Sequence, residues 1–227
     1  MPDTPPNPEL LRSLGRLVRG LSALFWGLPL ALIVCVETAK TNWLQALTIF
    51  PPAVATGLLF YGLSQLASFQ KQERPWRTTL DYARLFALIT FGLSPFLYWG
   101  NRVPEQPLFG ASIYVFAVSA WLLLFSINLV VQRLGAMLPD ETLRHETRQF
   151  TSVNRSLLIA LLLLVATYIG LMFVPVLPEF LENFLVWIDR VGSWLLVFLI
   201  LLPLAMTMAL IWKAKEVVLD SVFGGNH

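Results

Sequence analysis

Six long stretches of the sequence contain no charged residue, and short segments rich in charge separate them. A helix needs about 17–25 apolar residues to cross the hydrocarbon core of a bilayer, and each stretch reaches that range. Their runs of Leu, Ile, Val, Phe and Ala lack the strict alternation of a membrane β-strand. The pattern predicts an all-α, polytopic membrane protein with six transmembrane helices, paired as three hairpins, over residues 20–36, 41–70, 85–101, 106–132, 156–178 and 191–212.

The composition supports the membrane assignment. The chain has 227 residues, of which 56% are hydrophobic and 13% are charged, whereas soluble domains average about 45–50% apolar and about 25% charged residues. So little charge cannot cover a water-facing surface, which excludes a soluble globular domain. Cys35 is the only cysteine, which excludes a disulfide-rich scaffold. The net charge of +2 implies no nucleic-acid partner.

The positively charged residues indicate how the helices are oriented. Thirteen of the sixteen Lys and Arg residues fall on the side that holds both termini and the predicted connections 71–84 and 133–155, and three fall on the other side. Because cytoplasmic segments carry the excess of Lys and Arg, we expect both termini in the cytoplasm. The expected location is the bacterial cytoplasmic (inner) membrane, which the chain crosses several times.

Short flanking segments complete the predicted organisation. A single membrane domain over residues 9–220 lies between a disordered, Pro-rich tail at 1–8 and a second tail at 221–227. Leucines recur at helical spacing within 8–21, so this segment is either an amphipathic helix on the inner membrane surface or an extension of the first span. Another short amphipathic helix is expected in the connection 133–155, with one face formed by Leu143, Thr147, Phe150 and Val153.

The odd-numbered spans share a local pattern. Each is preceded by an arginine, which is Arg19, Arg84 or Arg155, and each contains a glycine followed by a proline. This recurrence favours three hairpins built on one plan. Chance similarity is the alternative, because Leu, Ala and Gly are common in any membrane helix.

We find no residue pattern for catalysis, redox chemistry or metal binding. His145 and His227 are the only histidines and neither lies in a predicted span, which excludes histidine-ligated haem or copper inside the membrane. We therefore predict no catalytic residue, no cofactor and no bound metal. Glu179, Glu182 and Asp189 cluster between the fifth and sixth spans, where they form either a weak cation site or a solvated acidic loop.

Two groups of polar residues are candidate contact sites. Ser126 and Asn128 lie within the fourth predicted span, where a hydrogen bond to a neighbouring helix contributes about 0.6 kcal/mol on average. Basic residues beside the predicted spans are candidates for contact with anionic lipid or with a partner protein. They are Arg12, Arg16, Arg19, Arg84, Arg144, Arg148 and Arg155.

Together these features favour a membrane protein that is not an enzyme but a structural or accessory subunit, or a scaffold, of a membrane complex. Its expected partners are membrane lipids and other membrane proteins, or further copies of itself. The alternative is a small transporter or channel for a neutral or apolar solute, because Gly and Pro in the odd-numbered spans can break helices that line a binding site. An enzyme that acts on lipids through loop residues is a third hypothesis.

Overall fold

The computed structural model describes residues 8–41, 47–70, 72–137, 141–172 and 179–223, without the side chains of 8–11, 142–143, 168–169, 172, 179–196 and 221–223. These ranges contain helices and no strand. The helices are α1 (Pro8–Lys40), α2 (Phe50–Leu66), α3 (Arg74–Leu93), α4 (Pro95–Arg102), α5 (Pro107–Met137), α6 (Glu141–Met172) and α7 (Glu179–Phe223). Of the two predicted tails, residues 1–7 and 224–227 lie outside the described residues.

Within the described ranges, five helical segments are long and apolar enough to cross a membrane. They are Arg12–Lys40, Arg74–Arg102, Pro107–Met137, Arg144–Thr167 and Val197–Asp220. The prediction of an all-helical protein with several candidate membrane spans is confirmed in this form. α2 is not one of these five segments: it has 17 residues, or about 25 Å at 1.5 Å per residue, which is the lower limit of the range that crosses a bilayer. The arrangement of six spans in three hairpins is therefore not confirmed and stays a prediction.

Prolines divide the apolar sequence into these helices. A proline occupies the first turn of α2 and of α3, where its missing N–H removes no helical hydrogen bond. Pro95 begins α4 because it cannot donate to the carbonyl of Phe91. That carbonyl accepts instead from the N–H of Ser94 at 3.3 Å. α3 and α4 consequently form one apolar segment with a break near its middle.

Hydrogen bonds from two side chains to the backbone hold helix ends together. The indole of Trp76, which is 1% exposed, donates to the carbonyl of Phe69 at 3.0 Å and fixes the turn between α2 and α3. Asn101 at the end of α4 donates from Nδ2 to the carbonyls of Thr38 and Thr41, at 3.3 and 3.1 Å. This second pair of bonds joins the end of α4 to the end of α1.

The main hydrophobic core lies among α1, α2, α3, α5 and α7. α1 contributes a leucine stripe whose members are four or three residues apart, a spacing that lines one face of a helix. Its residues are Leu17, Leu21, Leu24 and Leu28, which are 0–6% exposed. Because α1 is continuous from Pro8 to Lys40, the leucines within 8–21 belong to an extension of the first span and not to a separate surface helix.

One end of the bundle, which we call the basic end, is where α1, α3 and α6 begin and α2, α5 and α7 end. Contacts between these helix ends define it. Gly20 in the first half of α1 lies against Leu66 at the end of α2, and Lys213 in the last third of α7 forms an ion pair with Glu146 near the start of α6. The basic end carries Arg12, Arg16, Arg19, Arg74, Arg77, Arg84, Arg133, Arg144, Arg148, Arg155, Lys213 and Lys215.

Candidate functional site

Polar side chains line the buried face of α6 near the basic end. Thr147, Thr151 and Asn154 are separated by four and then three residues, which places them on one side of the helix, and they are 0–3% exposed. The same face continues with Leu158 and Leu161, which are 1% and 8% exposed. Thr147 and Asn154 are seven residues apart, so at 1.5 Å per residue the polar part of this face is about 10 Å long. Beyond Asn154 the face is apolar.

Two further residues meet this line from neighbouring helices. Asn128 of α5 is 2% exposed and Thr207 of α7 is 0% exposed, and both hydrogen-bond to Asn154. We call Asn128, Thr147, Thr151, Asn154 and Thr207 the polar seam. The polar seam connects α5, α6 and α7 through uncharged groups.

Asn128 uses both ends of its amide. Its Nδ2 donates to the carbonyl of Leu124, in its own helix, at 2.8 Å and to Oγ1 of Thr207 at 3.0 Å. Its Oδ1 accepts from Nδ2 of Asn154 at 2.7 Å and lies 3.3 Å from the hydroxyl of Thr207. The Leu124 carbonyl accepts only, so it fixes which end of the Asn128 amide is the NH₂ group.

The acceptors around Asn154 fix its orientation in turn. Nδ2 of Asn154 lies 2.7 Å from Oδ1 of Asn128, 3.2 Å from the carbonyl of Pro203 and 3.0 Å from Oγ1 of Thr207. An amide oxygen in that position would face two other oxygens that cannot donate. Oδ1 of Asn154 is therefore at the other end of the amide, and it has no hydrogen-bond donor among the described residues.

The backbone carbonyl of Pro203 in α7 is an acceptor for two side chains of the polar seam. It accepts from the hydroxyl of Thr207 at 2.7 Å as well as from Asn154. Since proline has no N–H, the carbonyl of Leu199, one turn earlier in α7, loses its helical donor. The Pro203 carbonyl therefore accepts from two side chains of the polar seam, and the Leu199 carbonyl is left without the helical donor that a residue other than proline would supply at position 203.

The polar seam is suited to hydrogen bonding with neutral groups. Its amides and hydroxyls neither gain nor lose a proton near neutral pH, so they offer no general acid or base. Oγ1 of Thr151, like Oδ1 of Asn154, is buried and has no hydrogen-bond partner within the described part of the chain. These two atoms are the unused hydrogen-bonding capacity of the seam.

An ion pair lies next to the polar seam, on the side that faces the basic end of the bundle. Lys213 of α7 bonds to Glu146 of α6, and their side chains are 44% and 34% exposed. Exposure of this degree allows solvent to screen the pair, which therefore stabilises the α6–α7 contact only modestly. Its position next to Thr147 in sequence places charged groups where the seam approaches solvent.

The structure brings together only part of the contact residues predicted from the sequence. Asn128 lies in the polar seam, whereas the Ser126 hydroxyl donates to the carbonyl of Leu122 in its own helix at 2.7 Å. Arg84 is partly buried and lies 3.8 Å from Asp81, and Arg155 lies over the ring of Phe125 at 5.7 Å. The remaining candidates, Arg12, Arg16, Arg19, Arg144 and Arg148, are exposed at the basic end.

The candidate cation site consists of Glu179, Glu182 and Asp189. Their side chains lie outside the part of the chain that the structure describes. Where side chains are described, no group of three or more His, Cys, Asp and Glu residues could hold a metal ion. Cys35 is buried and unpaired within α1.

Asn154 and Thr151 were not among the residues that the sequence analysis selected. Both lie between Arg144 and Arg155, in a segment assigned to a connection because of its charge. The signal that identifies them is the spacing of Thr147, Thr151 and Asn154, which continues without a break into Leu158. No protein-family profile matches the sequence, and no curated protein or solved structure matches it.

Proposed function

We propose that the chain is a six-span protein of the bacterial cytoplasmic membrane, with both termini in the cytoplasm, that acts as a structural or accessory subunit or scaffold of a membrane complex. The outer face of α6 is the observation that carries this proposal. α6 is the least buried of the five candidate spans, so much of its surface is free to contact lipid or a partner.

Small residues recur on the exposed side of α6. Ser152, Ser156 and Ala160 are four residues apart and all exposed, so they form one stripe on the side opposite the polar seam. Small residues at this spacing allow two membrane helices to approach closely, and serine can hydrogen-bond across the contact. Gly170 lies on the same side, farther along the helix, and is also exposed.

Arginines flank this stripe toward the basic end. Arg144, Arg148 and Arg155 lie within about 40° of one another around α6, as positions four and eleven residues apart do at 3.6 residues per turn. Basic side chains next to an anionic membrane surface contribute about 1 kcal/mol each. Anionic lipid headgroups and acidic segments of a partner both fit such a row of arginines.

Blocking the small-residue stripe should release the partner. We expect the wild-type protein, purified in mild detergent, to migrate with a stoichiometric membrane-protein partner or as a homo-oligomer, and Ala160→Leu to migrate as a monomer. Leucine is compatible with lipid, so only a helix contact should be lost. Ala117→Leu is the matched control, because Ala117 is an exposed small residue of α5. A wild-type protein that migrates as a monomer, or an Ala160→Leu variant that keeps its partner, contradicts the proposal.

Reporter fusions test the proposed orientation. The concentration of Lys and Arg at the basic end supports a cytoplasmic position for that end. We expect cytoplasmic reporter activity after Gln70, Met137 and His227, and external activity after Lys40, Arg102 and Pro178. A well-expressed fusion with the opposite activity would change the number of spans.

A small transporter or channel for a neutral solute is the second candidate function. The observation that favours it is the unused hydrogen-bonding capacity of Thr151 and Asn154, beside the proline of α7. Broken membrane helices with free carbonyls line substrate sites in many transporters. A monomer that copurifies with a bound neutral solute would favour this function over the subunit role.

A further inference from the structure

Thr151 and Asn154 place two unsatisfied polar atoms close together in the interior. The residues are three apart on one helix, so their Cβ atoms are about 5–6 Å from each other. They are 3% and 0% exposed, and neither Oγ1 of Thr151 nor Oδ1 of Asn154 has a partner among the residues that the structure describes. A hydroxyl can donate and accept, whereas an amide oxygen only accepts, so the two atoms have complementary needs.

Unsatisfied buried groups of this kind are rare in folded proteins. At least about 90% of buried polar groups have a hydrogen-bond partner, which is either protein or ordered water. Asn154 cannot resolve its own deficit by turning its amide, because that would place Oδ1 against Oδ1 of Asn128 and the carbonyl of Pro203. The missing partner must therefore come from outside these side chains.

We propose that Thr151 and Asn154 bind an ordered water molecule inside the helical bundle. The Thr151 hydroxyl donates to the water oxygen, and the water donates to Oδ1 of Asn154. The two side chains thus offer the water one donor and one acceptor. Such a set of two to four polar partners is what a buried water requires.

The chemistry of the site favours water over a metal cation. All the seam residues are uncharged, whereas protein sites for Mg²⁺ and Ca²⁺ use carboxylate oxygens in most cases. Thr147 lies between this site and the basic end of the bundle. Polar groups therefore extend from the site toward the end that carries the charged residues. A water at this site lies on the buried side of α6, away from the exposed stripe of small residues.

Replacing Thr151 with valine tests the proposal, because valine has nearly the same shape and no hydroxyl. If a water bridges Thr151 and Asn154, T151V leaves the water and Oδ1 poorly bonded, and the midpoint of thermal denaturation of the full-length protein should fall by about 2–4 °C. If the hydroxyl is unsatisfied in the native protein, its removal should leave the midpoint unchanged or raise it. That result would overturn the proposal.

Two comparisons separate the hydroxyl from general packing effects. Thr90 of α3 is 3% exposed and its hydroxyl donates to the carbonyl of Phe86 at 2.7 Å, so T90V is the matched control and should cause the smaller fall. T151S should be more stable than T151A, since these two variants differ only in the hydroxyl. A fall in T151V no larger than in T90V, or a T151A variant as stable as T151S, contradicts the proposal.

Discussion

Replacing Gly20 with alanine is expected to disrupt the contact between α1 and α2 and to destabilise the protein by about 1–3 kcal/mol, the usual range for overpacking. A Cβ at Gly20 would lie 2.5 Å from Cδ1 of Leu66 and 2.8 Å from the carbonyl oxygen of Gly62. The leucine can rotate, but the carbonyl is backbone, so the two helices must separate. The fall in the midpoint of thermal denaturation in detergent measures this effect.

Gly15 provides the matched control for Gly20. It lies in the same helix, and a Cβ there would meet no atom within 4 Å. Alanine favours a helix over glycine by about 1 kcal/mol, so Gly15→Ala should leave the midpoint unchanged or raise it. If Gly20→Ala is as stable as Gly15→Ala, the close contact between α1 and α2 is not present in the protein.

Asn128→Leu is expected to have the second large effect. The change keeps the approximate size of the side chain and removes hydrogen bonds to Asn154 and Thr207. An average hydrogen bond between membrane helices is worth about 0.6 kcal/mol, but a buried group left without its partner costs about 1–3 kcal/mol. Asn154 and Thr207 remain at 0% exposure and each loses one partner, but both keep their bonds to the Pro203 carbonyl. We therefore expect a loss of about 1–2 kcal/mol.

Ser126→Ala is the control for Asn128→Leu. Ser126 is in the same helix and 6% exposed, and its hydroxyl bonds to the carbonyl of Leu122, which belongs to that helix. We expect a much smaller change in the denaturation midpoint for this variant. Equal effects for the two variants would show that Asn128 does not join α5 to α6 and α7.

The helical membrane class of the protein could be predicted from the sequence, because long apolar segments without charge indicate surroundings of lipid rather than water. Prolines did not suffice to predict where helices break: Pro95 divides the predicted span 85–101 into α3 and α4, whereas Pro29 and Pro203 lie inside α1 and α7. The length of α2 could not be predicted either. Its 17 residues, Phe50–Leu66, lie inside a longer charge-free stretch, and the absence of charge does not specify where a helix begins.

The candidate site was less predictable than the fold. Asn128 could be selected because an amide in an apolar stretch needs a partner, but nothing in its surroundings specifies which helix supplies that partner. Asn154 was overlooked for a physical reason. Arginines on the exposed side of α6 give the segment the average composition of a connection, although its opposite face is buried. Averages over a segment conceal a helix whose two faces differ.

The hydrogen bonds of Asn154 also constrain the order of biosynthesis. Asn154 bonds to Thr207, which is 53 residues later in the chain. At about 5–20 residues per second, ribosomes need roughly 3–10 s to complete that interval. During this time Asn128 is already synthesised, whereas the acceptors on α7 are not. The nascent chain must hold α6 beside α5, or in contact with water or the insertion machinery, until α7 arrives.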